Sequence, residues 1–169
     1  MVLRTMSASS TDGWLRVANR YFPCQLGAHG RTARKKEGDG ATPIGNWPVV
    51  GVYYRADRIK RPHTSLPIKI IQPSDGWCDA PLDRNYNRPV TLPYPASAEQ
   101  LWRTDHAYDL VVVLDYNYSK CSTHRGSAIF MHLAHDNRRP TAGCLAFVER
   151  DLRQILKHLK PGERITIAR

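Results

Sequence analysis

The sequence predicts a mostly β domain, β-rich α+β in class, with two short helices. Its 12 prolines and 11 glycines are spread over 169 residues, so the regular segments must be short. The apolar runs are also short, and they either alternate with polar residues or are rich in β-branched residues, as strands are. The length suits a single core. We expect an N-terminal tail over residues 1–12, followed by one domain over residues 13–169.

Strand patterns recur along the chain and are separated by turn residues. Residues 108–116 are the most β-branched run, which predicts a central strand buried on both faces. Residues 73–95 form a long irregular stretch, and such stretches in compact domains often cover a functional site. The other predicted strands lie within residues 13–28 (two strands with a turn near Pro23), 47–54, 66–71, 127–133 and 164–168.

Two segments carry helix signals. A Ser-x-x-Gln capping box at residues 97–100 predicts a short helix that runs through Arg103. A second helix is predicted where apolar residues recur at helical spacing, and Lys160-Pro161-Gly162 ends it. The apolar face of this second helix consists of Val148, Leu152, Ile155, Leu156 and Leu159.

The chain carries a formal net charge of +10, which attracts polyanions such as nucleic acid, anionic membrane surfaces or carboxylate-rich cell-wall peptides. Four cations, Arg31, Arg34, Lys35 and Lys36, lie within six positions. Neither a basic helix nor interleaved aromatic residues accompany them, so nucleic-acid binding is not favoured. A solvated loop beside a site explains the cluster better.

No apolar run is long enough to cross a membrane. The N-terminal residues lack the apolar segment of a signal peptide. We therefore expect a cytoplasmic protein if the chain is native and complete, and a periplasmic one if it is a trimmed form.

The four cysteines, at positions 24, 78, 121 and 144, form no C-x-x-C pair, so a disulfide framework is not expected. His132, His135 and Cys144 are potential metal ligands. A fourth ligand is not evident and the spacing fits no standard zinc pattern, so neither a metal nor another cofactor is predicted.

One histidine and one cysteine lie at the two ends of a single polar loop, twelve positions apart at His132 and Cys144. Side chains alternate between the two faces of a strand. If Met131 and Leu133 face the core, His132 faces away from it, and if Leu145 is buried, Cys144 also faces away. The alternation therefore predicts that both reactive groups face one cleft.

This pair suggests nucleophilic catalysis. A nearby imidazole and a positive field lower the pKa of a thiol and yield a thiolate, and the imidazole then acts as acid and base. Backbone N–H groups around Ala142, Gly143 and Cys144 are candidates for stabilising an oxyanion. Asp136 or a backbone carbonyl is the candidate acceptor for the second imidazole nitrogen. The alternative is a non-catalytic module that binds murein or nucleic acid.

Three segments resemble the L,D-transpeptidase family, the YkuD-type catalytic domain. Residues Thr141–Cys144 resemble its Ser/Thr-His-Gly-Cys nucleophile motif, and Ile129–His132 resemble the strand that ends in its catalytic histidine. Residues Lys36–Trp47 are similar to its Thr-Pro-x-Gly segment. The resemblance spans roughly residues 13–168 and implies a β-rich fold with mixed sheets.

The resemblance also implies an activity and a substrate. Cys144 would attack the L-to-D bond after the third residue, usually diaminopimelate, of a murein tetrapeptide, and His132 would be the general acid and base. Gly143 and Cys144 would supply oxyanion donors. D-Ala would leave and a thioester would remain, to be resolved by an amine of a second stem as a crosslink. Carbapenems would acylate the same cysteine. The implied partner is peptidoglycan or a muropeptide.

Water in place of the amine gives the alternative, a cytoplasmic L,D-carboxypeptidase that trims murein tetrapeptides during recycling. The chain departs from the family pattern at Ala142, where the family has His, and at Ala146, where it usually has Arg. Substrate anchoring must therefore come from other side chains. The candidates are Arg34, Lys36, Arg138, Arg139, Thr141 and His135.

Overall fold

The computed structural model describes residues 1–169 and contains fourteen strands and one helix. The predicted mostly β fold is confirmed. The elements are β1 (Val2–Arg4), β2 (Asp12–Val17), β3 (Arg20–Gln25), β4 (Arg31–Thr32), β5 (Thr42–Pro43), β6 (Gly45–Tyr54), β7 (Ile68–Ile70), β8 (Asp75–Cys78), β9 (Pro89–Thr91), β10 (Ala98–Gln100), β11 (Leu110–Leu114), β12 (Phe130–Leu133), β13 (Leu145–Phe147), α1 (Glu149–Leu156) and β14 (Arg164–Ile167).

The main sheet is mixed and closes on itself. Its strand order is β11-β12-β13-β3-β2-β1-β14-β6-β7, and β6 also pairs with β11. This extra pairing joins eight of the strands into a ring, with β7 attached to the edge of β6. The pairs β12–β13, β1–β14 and β6–β7 are parallel, whereas the other pairs of this sheet are antiparallel.

The main sheet buries side chains on both faces where β11 and β12 lie. In β11, Val112 belongs to the larger apolar core and Val113 to a second, smaller one. The same division holds in β12, where Met131 enters the larger core and Phe130 the smaller. The prediction of a central strand buried on both faces is therefore confirmed for β11.

A three-stranded sheet, in the order β10-β8-β9, contributes to the second core. Trp77 of β8 packs edge-on against Phe130 and donates its indole N–H to Asn87 at 2.9 Å. Asn87 in turn accepts the N–H of Ala128 at 3.0 Å, just before β12. The stretch predicted to be irregular over residues 73–95 thus contains β8 and β9, and it packs against the face that carries Phe130.

The predicted helix over residues 97–103 is wrong. Residues 98–100 form β10, and Gln100 pairs with Gly76 of β8. A capping box is a local signal, and here the strand pairing with β8 overrides it. In the predicted hairpin the turn lies at Ala18 and Asn19, not near Pro23, which lies within β3.

The second predicted helix is confirmed as α1, and it is the only helix in the structure. Leu152, Ile155 and Leu156 are buried in the larger core, whereas Val148 precedes the helix and is 41% exposed. At eight residues, α1 is too short to cross a membrane. Residues 2–4, which the sequence placed in a tail, form β1 between β2 and β14.

The burial of β13 in the larger core can be tested by substitution. Leu145 is fully buried, so Leu145→Ala should lower the free energy of unfolding by about 2–5 kcal/mol because it leaves a cavity. Val148→Ala, three residues further on at an exposed position, should change it by no more than about 0.5 kcal/mol. Urea unfolding measures both. Equal effects of the two substitutions would contradict the placement of β13.

Candidate functional site

His132 occupies the third position of β12 and is 5% exposed. Its Nδ1 lies 2.9 Å from the carbonyl oxygen of Leu133, which can only accept, so Nδ1 carries the proton and Nε2 is the bare nitrogen. The Tyr108 ring packs edge-on against the imidazole, with 5.3 Å between the ring centroids. A backbone carbonyl, and not Asp136, therefore orients this histidine.

Cys144 precedes β13 and follows a glycine that the backbone requires. Gly143 has φ of +132°, and a Cβ at this position would lie 2.7 Å from the carbonyl oxygen of Ala41. The Cys144 thiol is buried, donates to the carbonyl oxygen of Ala128 at 3.2 Å, and accepts the N–H of Phe130 at 3.4 Å. These contacts fix the sulfur against the start of β12.

The register of two parallel strands places His132 and Cys144 on one face of the sheet. His132 pairs with Ala146, and Cys144 lies two residues before Ala146, so the three side chains share one face. Both His132 and Cys144 line the same cleft, which has a volume of about 580 Å³. The arrangement expected from strand alternation is therefore the one that the structure has.

Burial keeps both groups neutral. It lowers the pKa of His132 to about 4, although the hydrogen bond to Leu133 raises it. Burial, together with the nearby Glu99 carboxylate, raises the pKa of Cys144 to about 12. The resting pair at neutral pH is thus a thiol and a neutral imidazole. The expectation of a lowered thiol pKa and a resting thiolate is wrong.

Of the two backbone donors expected to stabilise an oxyanion, one is already engaged. The N–H of Gly143 donates to the Thr141 hydroxyl oxygen at 3.1 Å, and that hydroxyl donates to the carbonyl oxygen of Cys144 at 2.8 Å. The N–H of Cys144 donates no hydrogen bond within the chain. Thr141 thus braces the turn, and the N–H groups of Ala142 and Cys144 remain free of hydrogen bonds within the chain.

The walls of the cleft carry charges of both signs. Tyr108 donates its hydroxyl to Glu99 at 2.6 Å, and Arg103 lies 3.9 Å from the same carboxylate. Arg103 also binds Asp105 through two hydrogen bonds of 2.7 and 2.8 Å. Lys35, a member of the basic run over residues 31–36 that the sequence offered as a holder of substrate carboxylates, also lines the cleft. The charged lining residues that the sequence did not single out are Glu37, Asp79, Glu99 and Arg103.

The predicted binding residues divide between the cleft and the outer surface. His135, Arg139 and Thr141 line the cleft, and Arg139 contacts the His135 ring at 3.0 Å. Arg34 and Lys36 line an adjacent depression, which shares Lys35 and Glu37 with the cleft and is completed by Thr123, His124 and Arg125. Arg138 is exposed and lines neither.

A thiol and an imidazole on one face of a sheet, at the floor of a charged cleft, define a site suited to nucleophilic acyl transfer. The sequence-family model for the L,D-transpeptidase catalytic domain, the YkuD family, matches residues 10–167, which is nearly the whole chain. The chain therefore belongs to this family, whose activity is on peptidoglycan and whose members are typically cysteine-dependent. Neither a curated protein nor a solved structure matches the chain.

The protonation state of Cys144 is testable by alkylation. With a pKa near 12, its rate of reaction with iodoacetamide should rise about ten-fold per pH unit between pH 7 and pH 10, because the thiolate fraction does so. Peptide mass spectrometry follows Cys144 separately from the exposed Cys121, which serves as an internal control. A rate of Cys144 alkylation that is already constant between pH 6 and pH 8 would reveal a resting thiolate.

Proposed function

We propose that this protein is an L,D-transpeptidase that acts on peptidoglycan stem peptides through a thioester on Cys144. The observation that carries the proposal is the shared face of β12 and β13, which directs the Cys144 thiol and the His132 imidazole into one cleft. Membership of the family supports the substrate class. Because both groups are neutral at rest, the proton must move when the substrate is attacked.

In the first half-reaction, the bare Nε2 of His132 takes the proton of the Cys144 thiol as the sulfur attacks the carbonyl carbon of an L-to-D peptide bond. The carbonyl oxygen becomes an oxyanion, to which the free N–H of Cys144 donates. The imidazolium then returns the proton to the nitrogen of the leaving D-residue. The C–N bond breaks, and the thioester remains on Cys144.

In the second half-reaction, the amine of another stem attacks the thioester carbonyl. His132 takes a proton from this amine and returns it to the departing sulfur, so the thiol is restored and an amide crosslink is formed. Water follows the same route in place of the amine and gives a carboxylic acid. Transpeptidation and hydrolysis therefore differ only in the molecule that enters the cleft second.

The charges of the cleft suit a stem peptide, which bears both carboxylates and an amine. Lys35 and Arg103 supply positive charge on the walls, and Glu37 and Glu99 supply negative charge. Arg139 extends the positive charge along the loop between His132 and Cys144. The family's His and Arg are replaced here by Ala142 and Ala146. In this proposal, charged residues from other parts of the cleft wall anchor the substrate in their place.

Incubation with a disaccharide-tetrapeptide, followed by mass spectrometry, tests the proposal. We expect crosslinked dimers and a released D-residue, and the fragment masses identify the bond that is cut. Cys144→Ala should abolish turnover, and His132→Gln should lower it by about 10²- to 10⁴-fold because general acid–base catalysis is lost. Cys121→Ala, which removes an exposed thiol, is the control and should retain activity.

The products show whether an amine of a second stem or water resolves the thioester. Dimers identify transpeptidation, whereas tripeptide and free D-Ala without dimers identify the carboxypeptidase. Unchanged substrate with wild-type protein, or equal turnover by wild-type protein and Cys144→Ala, would contradict the proposed role of the cysteine.

A further inference from the structure

Lys35 is a cation buried in the wall of the cleft. The side chains of residues 34–37 alternate between exposed and buried positions. Lys35 is 5% exposed and Glu37 is half-buried, whereas Arg34 and Lys36 are exposed. Lys35 lines the cleft together with Cys144. The positive charge of Lys35 also lowers the pKa of Cys144, against the larger rise that burial causes.

The loop that carries Lys35 is held rigidly by its own carboxylates. Asp39 forms an ion pair with Lys35 and accepts the backbone N–H groups of Lys36 at 2.7 Å and Ala41 at 3.0 Å. Glu37 accepts the hydroxyl of Ser127 at 2.8 Å, which joins the loop to the segment before β12. The position of the Lys35 ammonium relative to β12 is therefore fixed before any ligand binds.

The Lys35 ammonium has one donor to spare. A lysine ammonium carries three N–H donors. One donates to the Asp39 carboxylate and one to the carbonyl oxygen of Lys36 at 3.1 Å, and the third has no acceptor within the chain. A spare donor on a buried cation at the wall of a cleft is suited to bind an anionic group of a ligand.

The negative charges near Lys35 favour a singly charged anionic group over a doubly charged one. The Glu37 and Glu99 carboxylates line the same cleft and would repel a phosphate dianion more than a single carboxylate. In a peptide cut at an L-to-D bond, the leaving D-residue bears a carboxylate on the carbon that is attached to the scissile nitrogen. This carboxylate is the negative charge of the substrate that lies nearest the reacting atoms.

We propose that Lys35 binds the α-carboxylate of the leaving D-residue and thereby selects substrates in which this carboxylate is free. The proposal rests on the proposed acyl-transfer function and names the group by which the cleft recognises its substrate. Lys35 then acts as a specificity-determining residue. Arg34 and Lys36, which the sequence favoured, lie outside the cleft.

Comparison of a disaccharide-tetrapeptide with its C-terminal carboxamide tests the proposal. Wild-type protein should prefer the free acid by about ten- to a hundred-fold in kcat/KM, the range expected for one hydrogen bond between charged groups. Lys35→Met should bring this ratio close to one, and Lys35→Arg should retain most of it. Lys120→Met removes the same charge from an exposed position outside the cleft and should leave the ratio unchanged.

Lys35→Met leaves Asp39 without its partner, so the double variant Lys35→Met/Asp39→Asn provides a folding control that removes both charges. A wild-type preference for the free acid over the carboxamide near one would overturn the proposal. So would a preference that persists in both Lys35→Met and the double variant.

A binding measurement distinguishes failure of the acyl-transfer proposal from failure of the Lys35 proposal. In the Cys144→Ala protein, calorimetry with the same two peptides should show tighter binding of the free acid, and Lys35→Met should remove the difference. Absence of turnover by wild-type protein would count against the proposed function alone. Equal binding of the two peptides to Cys144→Ala would overturn the role of Lys35.

Discussion

The parallel pairing of β12 with β13 is the constraint on which the site depends. The register that pairs Met131 with Leu145 and His132 with Ala146 decides which side chains share a face. A slip of β13 by one residue would turn Cys144 toward the larger core, while His132 would still face away from it. The fully buried Met131, Leu145 and Phe147 hold the register because any slip would expose them.

The same pairing explains why the two reactive groups are neutral. The second core, formed by Trp77, Phe130 and their neighbours, packs on the face that carries Cys144 and removes water from it. A charged imidazole or thiolate in that environment would lose its hydration, so the thiol and the neutral imidazole are favoured. The proposed reaction then begins with transfer of a proton between two uncharged partners. Charge develops only as the substrate is attacked, beside the free N–H of Cys144.

The part of the site that local sequence determines could be predicted. Alternation along residues 127–133 and 144–147 placed His132 and Cys144 on one face, because the apolar neighbours identify the buried side of each strand. The helix α1 could be predicted for the same reason. The family resemblance, carried by segments around residues 42, 132 and 144, also proved correct, since the match covers residues 10–167.

The walls of the cleft could not be predicted, because they are built by contacts between distant segments. Glu37 meets Ser127 across 90 positions, and Glu99 faces the cleft only because residues 98–100 pair with β8 instead of forming a helix. Among four clustered cations, composition gives no indication that Lys35 faces inward and Lys36 outward. The resting charge of Cys144 also depends on burial by the second core, which the cysteine's own neighbours in sequence do not determine.

In this structure β12 and β13 hold His132 and Cys144 neutral on one face of the sheet, with Nε2 of His132 free to accept a proton. Nitrogen-15 NMR of the histidine side chains measures this directly. We expect His132 at pH 7 to be the neutral Nδ1–H tautomer and to stay neutral down to about pH 5. Cys144→Ala should leave the titration of His132 unchanged. An imidazolium at pH 7 that becomes neutral when Cys144 is replaced would contradict it.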